Sequence, residues 1–157
     1  MNIRSYQPED AAALAEVFTE AIRSTANRDY VPQQIDAWAL VPTDTSDWSK
    51  RLGSQIVFIA EEDSEVAGFI TFEPSGHLDH LYVQSRFQRQ GVASMLCGRV
   101  EKEARSLGIS RIFTEASITA RPFFESRGFL LVAPQTVVHR GVSFVNYKME
   151  RFMQEPR

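Results

Sequence analysis

A mixed α/β domain, built on a single, largely antiparallel sheet of about seven strands with helices on its faces, is the fold class this sequence predicts. Three observations predict it. Short β-rich runs recur along the chain between turn residues, while two longer segments repeat their apolar residues every three or four positions. The order of these elements, a strand meander interrupted by crossover helices, contains no internal repeat and no Pro/Gly/Ser linker. Residues 1–157 therefore read as one domain, and a chain of 157 residues has enough core to fold without disulfide or metal staples. Its single cysteine, Cys97, excludes an internal disulfide and a cysteine-rich zinc site; it falls on a helix stripe and reads as packing.

Each element follows from local pattern. Ile3 to Tyr6 forms a first strand, and Pro8 suits the first turn of a helix striped by Leu14, Val17, Phe18, Ala21 and Ile22. The pattern loosens from Asn27 to Leu52, where Tyr30-Val31-Pro32 marks a turn between short helices at Gln33 to Leu40, around Trp38, and Asp44 to Leu52, carrying Trp48. This stretch is expected to line a pocket. Gln55 to Ala60 and Glu65 to Phe72 pair through the turn Glu61-Glu62-Asp63-Ser64, and a strand follows from His77 to Val83. Val92, Leu96, Val100, Ala104 and Leu107 then stripe a helix that Gly108 ends as a left-handed residue. Arg111 to Ala116 is a strand, Thr119 to Arg127 a short helix with Thr119 as N-cap, and Phe129 to Val138 a strand that turns at Arg140-Gly141 into Val142 to Met149.

Composition narrows the function classes. With 43% hydrophobic and 24% charged residues the chain is neither disordered nor fibrous, and a net charge of -3 argues against sequence-independent nucleic-acid binding. No stretch approaches the roughly 18 apolar residues of a membrane span, and the N-terminus lacks a basic segment followed by an apolar run, so a cytoplasmic protein with no membrane partner is expected. The charge is unevenly spread. Arg86 to Arg111 holds six basic and two acidic residues, which fits a compact anionic ligand such as a phosphorylated cofactor.

His77 to Ala93 is the most informative stretch: a strand, a basic loop with Arg86 and Arg89, then a helix that starts at Gly91. The first amides of a helix have no intrahelical partner and carry the positive end of its dipole, so a diphosphate placed there gains several hydrogen bonds. The loop is not a P-loop, since no Gly-Lys-Ser/Thr follows, and it lacks the three glycines of a dinucleotide fingerprint.

Two motifs in this region resemble those of the GNAT superfamily of acetyl-CoA-dependent N-acetyltransferases. Gln88-Arg89-Gln90-Gly91-Val92-Ala93 fits the family pattern Gln/Arg-x-x-Gly-x-Gly/Ala at every defined position, and Ser117-x-x-Ala120-x-x-Phe123-Phe124-Glu125-x-x-Gly128-Phe129 is near a second pattern, Asn-x-x-Ala-x-x-x-Tyr-x-x-x-Gly-Phe. The resemblance implies a sheet splayed between its fourth and fifth strands. It implies that acetyl-CoA lies in the splay, with its pantetheine along Leu81, Tyr82 and Val83 and its pyrophosphate on the amides of Gln88, Arg89, Gln90, Gly91, Val92, Ala93 and Ser94. Ser117 stands where the family often has a pantetheine-binding Asn. Phe124 stands where it often has a tyrosine that protonates the leaving thiolate; a phenyl ring cannot, though it can pack against the cofactor arm.

The reaction so implied is direct acetyl transfer from acetyl-CoA to the primary amine of a small molecule or peptide, with backbone donors near Val83 polarising the thioester carbonyl. An ionised amine must first lose a proton. The family often places a base six residues before the strand valine, here at His77, and strand alternation puts Asp79 on the same face as its helper. His80 and Tyr82 point to the other face and read as packing or surface residues, and His139 reads as a solvated turn residue. Tyr147 is the replacement acid, with Tyr30 as a second choice; Tyr30, Trp38 and Trp48 are candidates for an aromatic acceptor wall. Asp29, Asp36, Asp44 and Asp47 outnumber Arg28 and Lys50 between Asn27 and Lys50, which leans toward a cationic acceptor. A homodimer is compatible with such a fold. The alternative function is a non-catalytic acyl-CoA-binding or sensor protein.

Overall fold

The strands pair into two groups. The computed structural model describes residues 1–40 and 45–153. Strands β1 (Asn2–Ser5), β2 (Ile56–Glu62), β3 (Glu65–Phe72) and β4 (Leu78–Val83) lie in that order as an antiparallel sheet. Strands β5 (Arg111–Ser117), β7 (Val142–Phe152) and β6 (Leu130–His139) form a second antiparallel sheet in the order β5-β7-β6. The seven expected strands are thus present, split four and three. Between β4 and β5 one parallel bridge joins the sheets, His77 opposite Phe113, where the Phe113 N–H donates to the Gly76 carbonyl at 3.0 Å. Beyond that joint the strands part, as the splay requires.

Helices cover both faces. Helix α1 (Ala11–Thr25), entered through a short 3-10 turn at Pro8–Asp10, packs with α2 (Pro32–Ala39) and α3 (Thr45–Gly53) on one face. Leu14, Phe18 and Ile22 meet Trp48, Leu52, Ile59 and Phe69 there. On the other face α4 (Val92–Ser106) buries Val92, Leu96, Val100 and Ala104 against Phe58, Ile70, Phe72 and Leu78. Gly108, at φ +72, ends that helix as its sequence position predicts. The short α5 (Arg121–Ser126) seats Phe124 in the same core. Thr119 is not its N-cap: Ala120 takes that place without a side-chain bond, and the Thr119 hydroxyl instead donates to Asp29 at 2.8 Å. The expected helix start at Asp44 lies outside the described residues.

A β-bulge in β4 positions the site. Thr71 pairs with His80 and Phe72 with Leu78, so Asp79 is the extra, unpaired residue. The bulge shifts side-chain parity. Leu78, two residues from His80, points into the α4 core, while the His80 and Tyr82 rings pack against Phe18 on the opposite face. The alternation that would set His77 and Asp79 on one face is therefore interrupted between them, which corrects the regular strand read from sequence.

Gly76 controls the joint. At φ +100, its absent Cβ would lie 2.2 Å from the Arg111 carbonyl oxygen. Gly76→Ala is expected to destabilise the fold by about 1–3 kcal/mol through backbone strain and this contact. The urea unfolding midpoint of the variant against the parent chain measures it.

Candidate functional site

Where β4 and β5 diverge, a cavity of about 860 Å³ opens between the sheets and runs from the start of α4 to the aromatic face of α1 and α2. Its lining includes Leu81, Tyr82, Val83, Gln88, Arg89, Ala93, Ser117, Phe124, Tyr30, Trp38, Trp48 and Asp79, so most residues singled out in the sequence converge here. His77 and Tyr147 do not line it, nor do Gln90, Gly91, Val92 and Ser94 beside the lining residues Gln88, Arg89 and Ala93.

At the α4 end the chain presents backbone donors. Gly91 is the helix N-cap in the left-handed region, at φ +79, and the first intrahelical bond runs from Met95 back to its carbonyl. The amides of Val92, Ala93 and Ser94 thus precede the first turn's hydrogen bonds. Arg89, also left-handed, reaches the cavity, whereas Arg86 pairs with Glu65 and stacks on Phe87. The Gln90 side chain donates to the Arg86 carbonyl and Gln88 to the Val83 carbonyl, at 3.1 and 3.0 Å; both tie the loop to itself. Gln84 N–H pairs with Ala67, and antiparallel alternation then turns the Tyr82 backbone toward β3 and the Leu81 and Val83 backbone toward the open edge.

The cavity holds an unmet polar group. Ser117 accepts the Ala120 N–H at 3.0 Å, and Asn146, its cross-strand partner on β7, lines the same wall. Asn146 Oδ1 is buried without a hydrogen-bond partner among the described residues, a loss of about 1–3 kcal/mol that a ligand donor would recover. An extended ligand bearing amides and a diphosphate fits this set: an open strand edge, an orphaned amide oxygen and a helix start.

The opposite end is aromatic. Trp38 Nε1 donates to Tyr82 Oη at 3.2 Å, and an indole N–H only donates. Tyr82 therefore accepts that bond and keeps its own O–H for another partner; burial raises its pKa and holds the proton in place. Sequence alternation made Tyr82 a packing residue, because nothing local reveals that the α1 face is hollow here. The Tyr30 hydroxyl is committed to the fold, donating to the Val145 carbonyl and accepting the Ile118 N–H. Trp48 is buried, with its N–H on the Ala11 carbonyl. Tyr147 lies on β7 with Arg121 stacked 4.4 Å over its ring.

Beneath the joint, a polar chain crosses the elements. Arg51 Nη2 donates to Asp79 Oδ2 at 2.7 Å, Gln55 Nε2 donates to both Asp79 and Glu73, and His77 spans Glu73 (3.1 Å) and Glu115 (2.7 Å) while its ring stacks on Phe113. The two carboxylates push the His77 imidazole up to about 9, the bond to Glu115 contributing most. This favours the imidazolium, a form with no lone pair for a base, and so weighs against the base role expected of His77. Among these carboxylates, Asp79 and Glu115 line the cavity. His80 is the neutral histidine: burial drives it down to about 4, and Thr71 Oγ1 lies 2.9 Å from its Nδ1.

The acidic lean of residues 27–50 does not reach the cavity. Asp29 holds Thr119 and Arg28, Asp36 pairs with Arg23, and neither they nor Asp47 line it; Asp44 lies outside the described residues. His139, read as a solvated turn residue, does line it. No helix among the described residues is long and apolar enough to cross a membrane.

Comparison with known proteins agrees with this geometry. Residues 26–151 match the acetyltransferase (GNAT) domain. The chain is 39% identical over 149 residues to the "Uncharacterized N-acetyltransferase YafP" of Escherichia coli (strain K12), covering 95% of this chain and 94% of that protein. Its fold superposes on the GCN5-related N-acetyltransferase "Aminotransferase, Class-II" from Rhodopseudomonas palustris with a TM-score of 0.93 and 31% identity, over 96% and 94% of the two chains. The PaiA N-acetyltransferase of Thermoplasma acidophilum, solved with coenzyme A, shares the fold at a TM-score of 0.80 and 19% identity, over 96% and 98%. The chain belongs to the GNAT family and is an acetyltransferase.

The clamp on His77 has a consequence for stability. Because the folded-state pKa is raised from 6.5 to about 9, its contribution is fully present below pH 6.5 and is lost as pH rises through 9. Urea midpoints should fall across that window in the parent chain and fall less in His77→Ala.

Proposed function

We propose that the protein transfers an acetyl group from acetyl-CoA to the primary amine of a small molecule or peptide. The observation that carries this reading is the splay of β4 from β5, which opens onto the amides at the start of α4. When bound, acetyl-CoA supplies the acetyl group as an activated thioester. Gly91, Val92, Ala93 and Ser94 would hold its pyrophosphate with backbone N–H groups, Arg89 adding a charge-assisted contact, and the Leu81 and Val83 backbone and Asn146 would hold its arm. Ser117 and Phe124 flank that arm. The Val83 N–H is placed to polarise the carbonyl under attack.

For the proton the reading turns to Glu115. It lines the cavity, and His77 fixes it from behind, so His77 positions the base rather than serving as one. Asp79, which burial pushes up, is nonetheless held below its usual range by the hydrogen bonds of Gln55 and Arg51 and the Arg51 charge, stays ionised and serves the network as an anchor. Tyr82 Oη, which keeps its proton and receives the Trp38 N–H, is the proton donor that Phe124 cannot be. Tyr30, Trp38 and Trp48 shape the acceptor end.

Two experiments test this. Gly91→Glu should abolish coenzyme A binding in calorimetry, with Gly91→Ala, which adds backbone strain but no charge, as the control; unchanged affinity in a folded Gly91→Glu removes the pyrophosphate assignment. Tyr82→Phe should lower kcat by about 10² with coenzyme A affinity retained, while Tyr147→Phe leaves kcat within about twofold. The reverse ranking of these two variants would return the acid role to Tyr147.

A further inference from the structure

The acceptor end of the cavity carries arginine donors as well as carboxylates. Among the described residues four arginines line the cavity, Arg28, Arg51, Arg89 and Arg140, against two carboxylates, Asp79 and Glu115. Both carboxylates are already bonded to internal cations, Asp79 to Arg51 and Glu115 to His77. Arg89 belongs to the α4 end and Arg28 pairs with Asp29, whereas at the acceptor rim Arg140 is exposed in the β6–β7 turn and Arg51, paired with Asp79 through Nη2, keeps further guanidinium donors.

We propose that the acceptor amine also carries an anionic group, bound at the rim by Arg51 of α3 and Arg140 of the β6–β7 turn. The two residues lie far apart in sequence, yet both line the same cavity, Arg51 from α3 and Arg140 from the β6–β7 turn; burial lowers the pKa of His139, beside Arg140, and the charges of Arg140 and Arg51 lower it further. Arg51 is oriented in advance. Asp79, fixed by the β4 bulge and by Gln55, engages only its Nη2, and a guanidinium has five N–H donors, so the remaining edge is available to a ligand anion. Arg140 sits at φ +52 in the turn, a conformation that holds the residue at the tip of the hairpin. The apolar body of such an acceptor has a matching wall, since the Trp38 ring lies 5.3 Å from Tyr30 and 6.5 Å from Phe144. An amine bearing a carboxylate or a phosphoryl group on an apolar frame meets all three features, and a polyamine meets none.

This inference deepens the acetyl-transfer reading by naming the acceptor class, yet it can be measured without cofactor. Trp38 and Trp48 are the chain's two tryptophans and both line the cavity, so their fluorescence reports occupancy. The probes are phenylacetate, phenyl phosphate, phenylacetamide and 2-phenylethylamine, titrated into the wild-type chain and into Arg51→Gln/Arg140→Gln. The glutamine at 51 keeps a donor for Asp79, and circular dichroism checks the fold. At least one anionic probe should bind about tenfold more tightly than the amide or the amine, as expected for a charge-assisted pair, and the double variant should erase the difference. Whichever anion wins identifies the group as carboxylate or phosphoryl. Equal or tighter binding of the amide or amine, a preference that survives the double variant, or no quenching by either anion up to about 10 mM, an affinity weaker than any specific charge-assisted pair would give, overturns the inference. Calorimetry of coenzyme A on the same variant separates the two readings: loss of anion preference with coenzyme A affinity intact bears on the acceptor alone, and failure of coenzyme A to bind the wild type bears on the acetyl-transfer reading alone.

Discussion

The backbone bridge at His77 and Phe113, where the two sheets meet, governs the rest of the molecule. A strand edge carries N–H and C=O groups that must find partners, and an open edge inside a domain is costly unless something fills it. Here Gly76 lets the chain come close enough for the Phe113 amide to reach its carbonyl, and the parallel bridge stops there. Past that point the two edges face a cavity instead of each other. The same contact therefore holds the sheets together and leaves backbone groups exposed to a ligand.

The bulge at Asp79 is the second device, and it works on side chains. By adding one residue to β4 it sends Leu78 into the α4 core while turning His80 and Tyr82 toward α1 and α2. It also projects Asp79 out of the ladder, where Arg51 and Gln55 converge on it. A regular strand would have buried this carboxylate against α4 or displaced the aromatic cluster. The hydroxyl of Tyr82, committed as an acceptor to Trp38, then owes its free proton to the same parity shift.

Charge is partitioned by function. Of the arginines that make residues 86–111 basic, Arg86 pairs with Glu65, Arg99 with Glu103 and Arg111 with Glu150, and each stacks on a phenylalanine. Arg89 is the one from this stretch that lines the cavity. His77 follows the same rule: Glu73 and Glu115 hydrogen-bond its two ring nitrogens and raise its pKa, and it does not line the cavity.

Local pattern was sufficient for the elements, because a stripe such as Val92-Leu96-Val100-Ala104 or an alternating run such as Val142 to Met149 carries its own period. The seven strands, the left-handed Gly108 and the helix start at Gly91 were all legible, and so was the family, whose motif spans six contiguous residues. Thr119 was misread since its hydroxyl is claimed by Asp29, 90 residues away. The surroundings of His77 were hidden for a similar reason: its proton affinity is raised by Glu115 and Glu73 across the joint, and a reference pKa knows nothing of them. By itself the sequence determined which segments are helices and strands and where the helix after the basic loop starts, since those depend on neighbours in the chain. Only the tertiary structure decided the bulge at Asp79, the partner of Tyr82 and the bond from Arg51 to Asp79, because each is a contact between residues whose separation in sequence carries no trace of their distance in space.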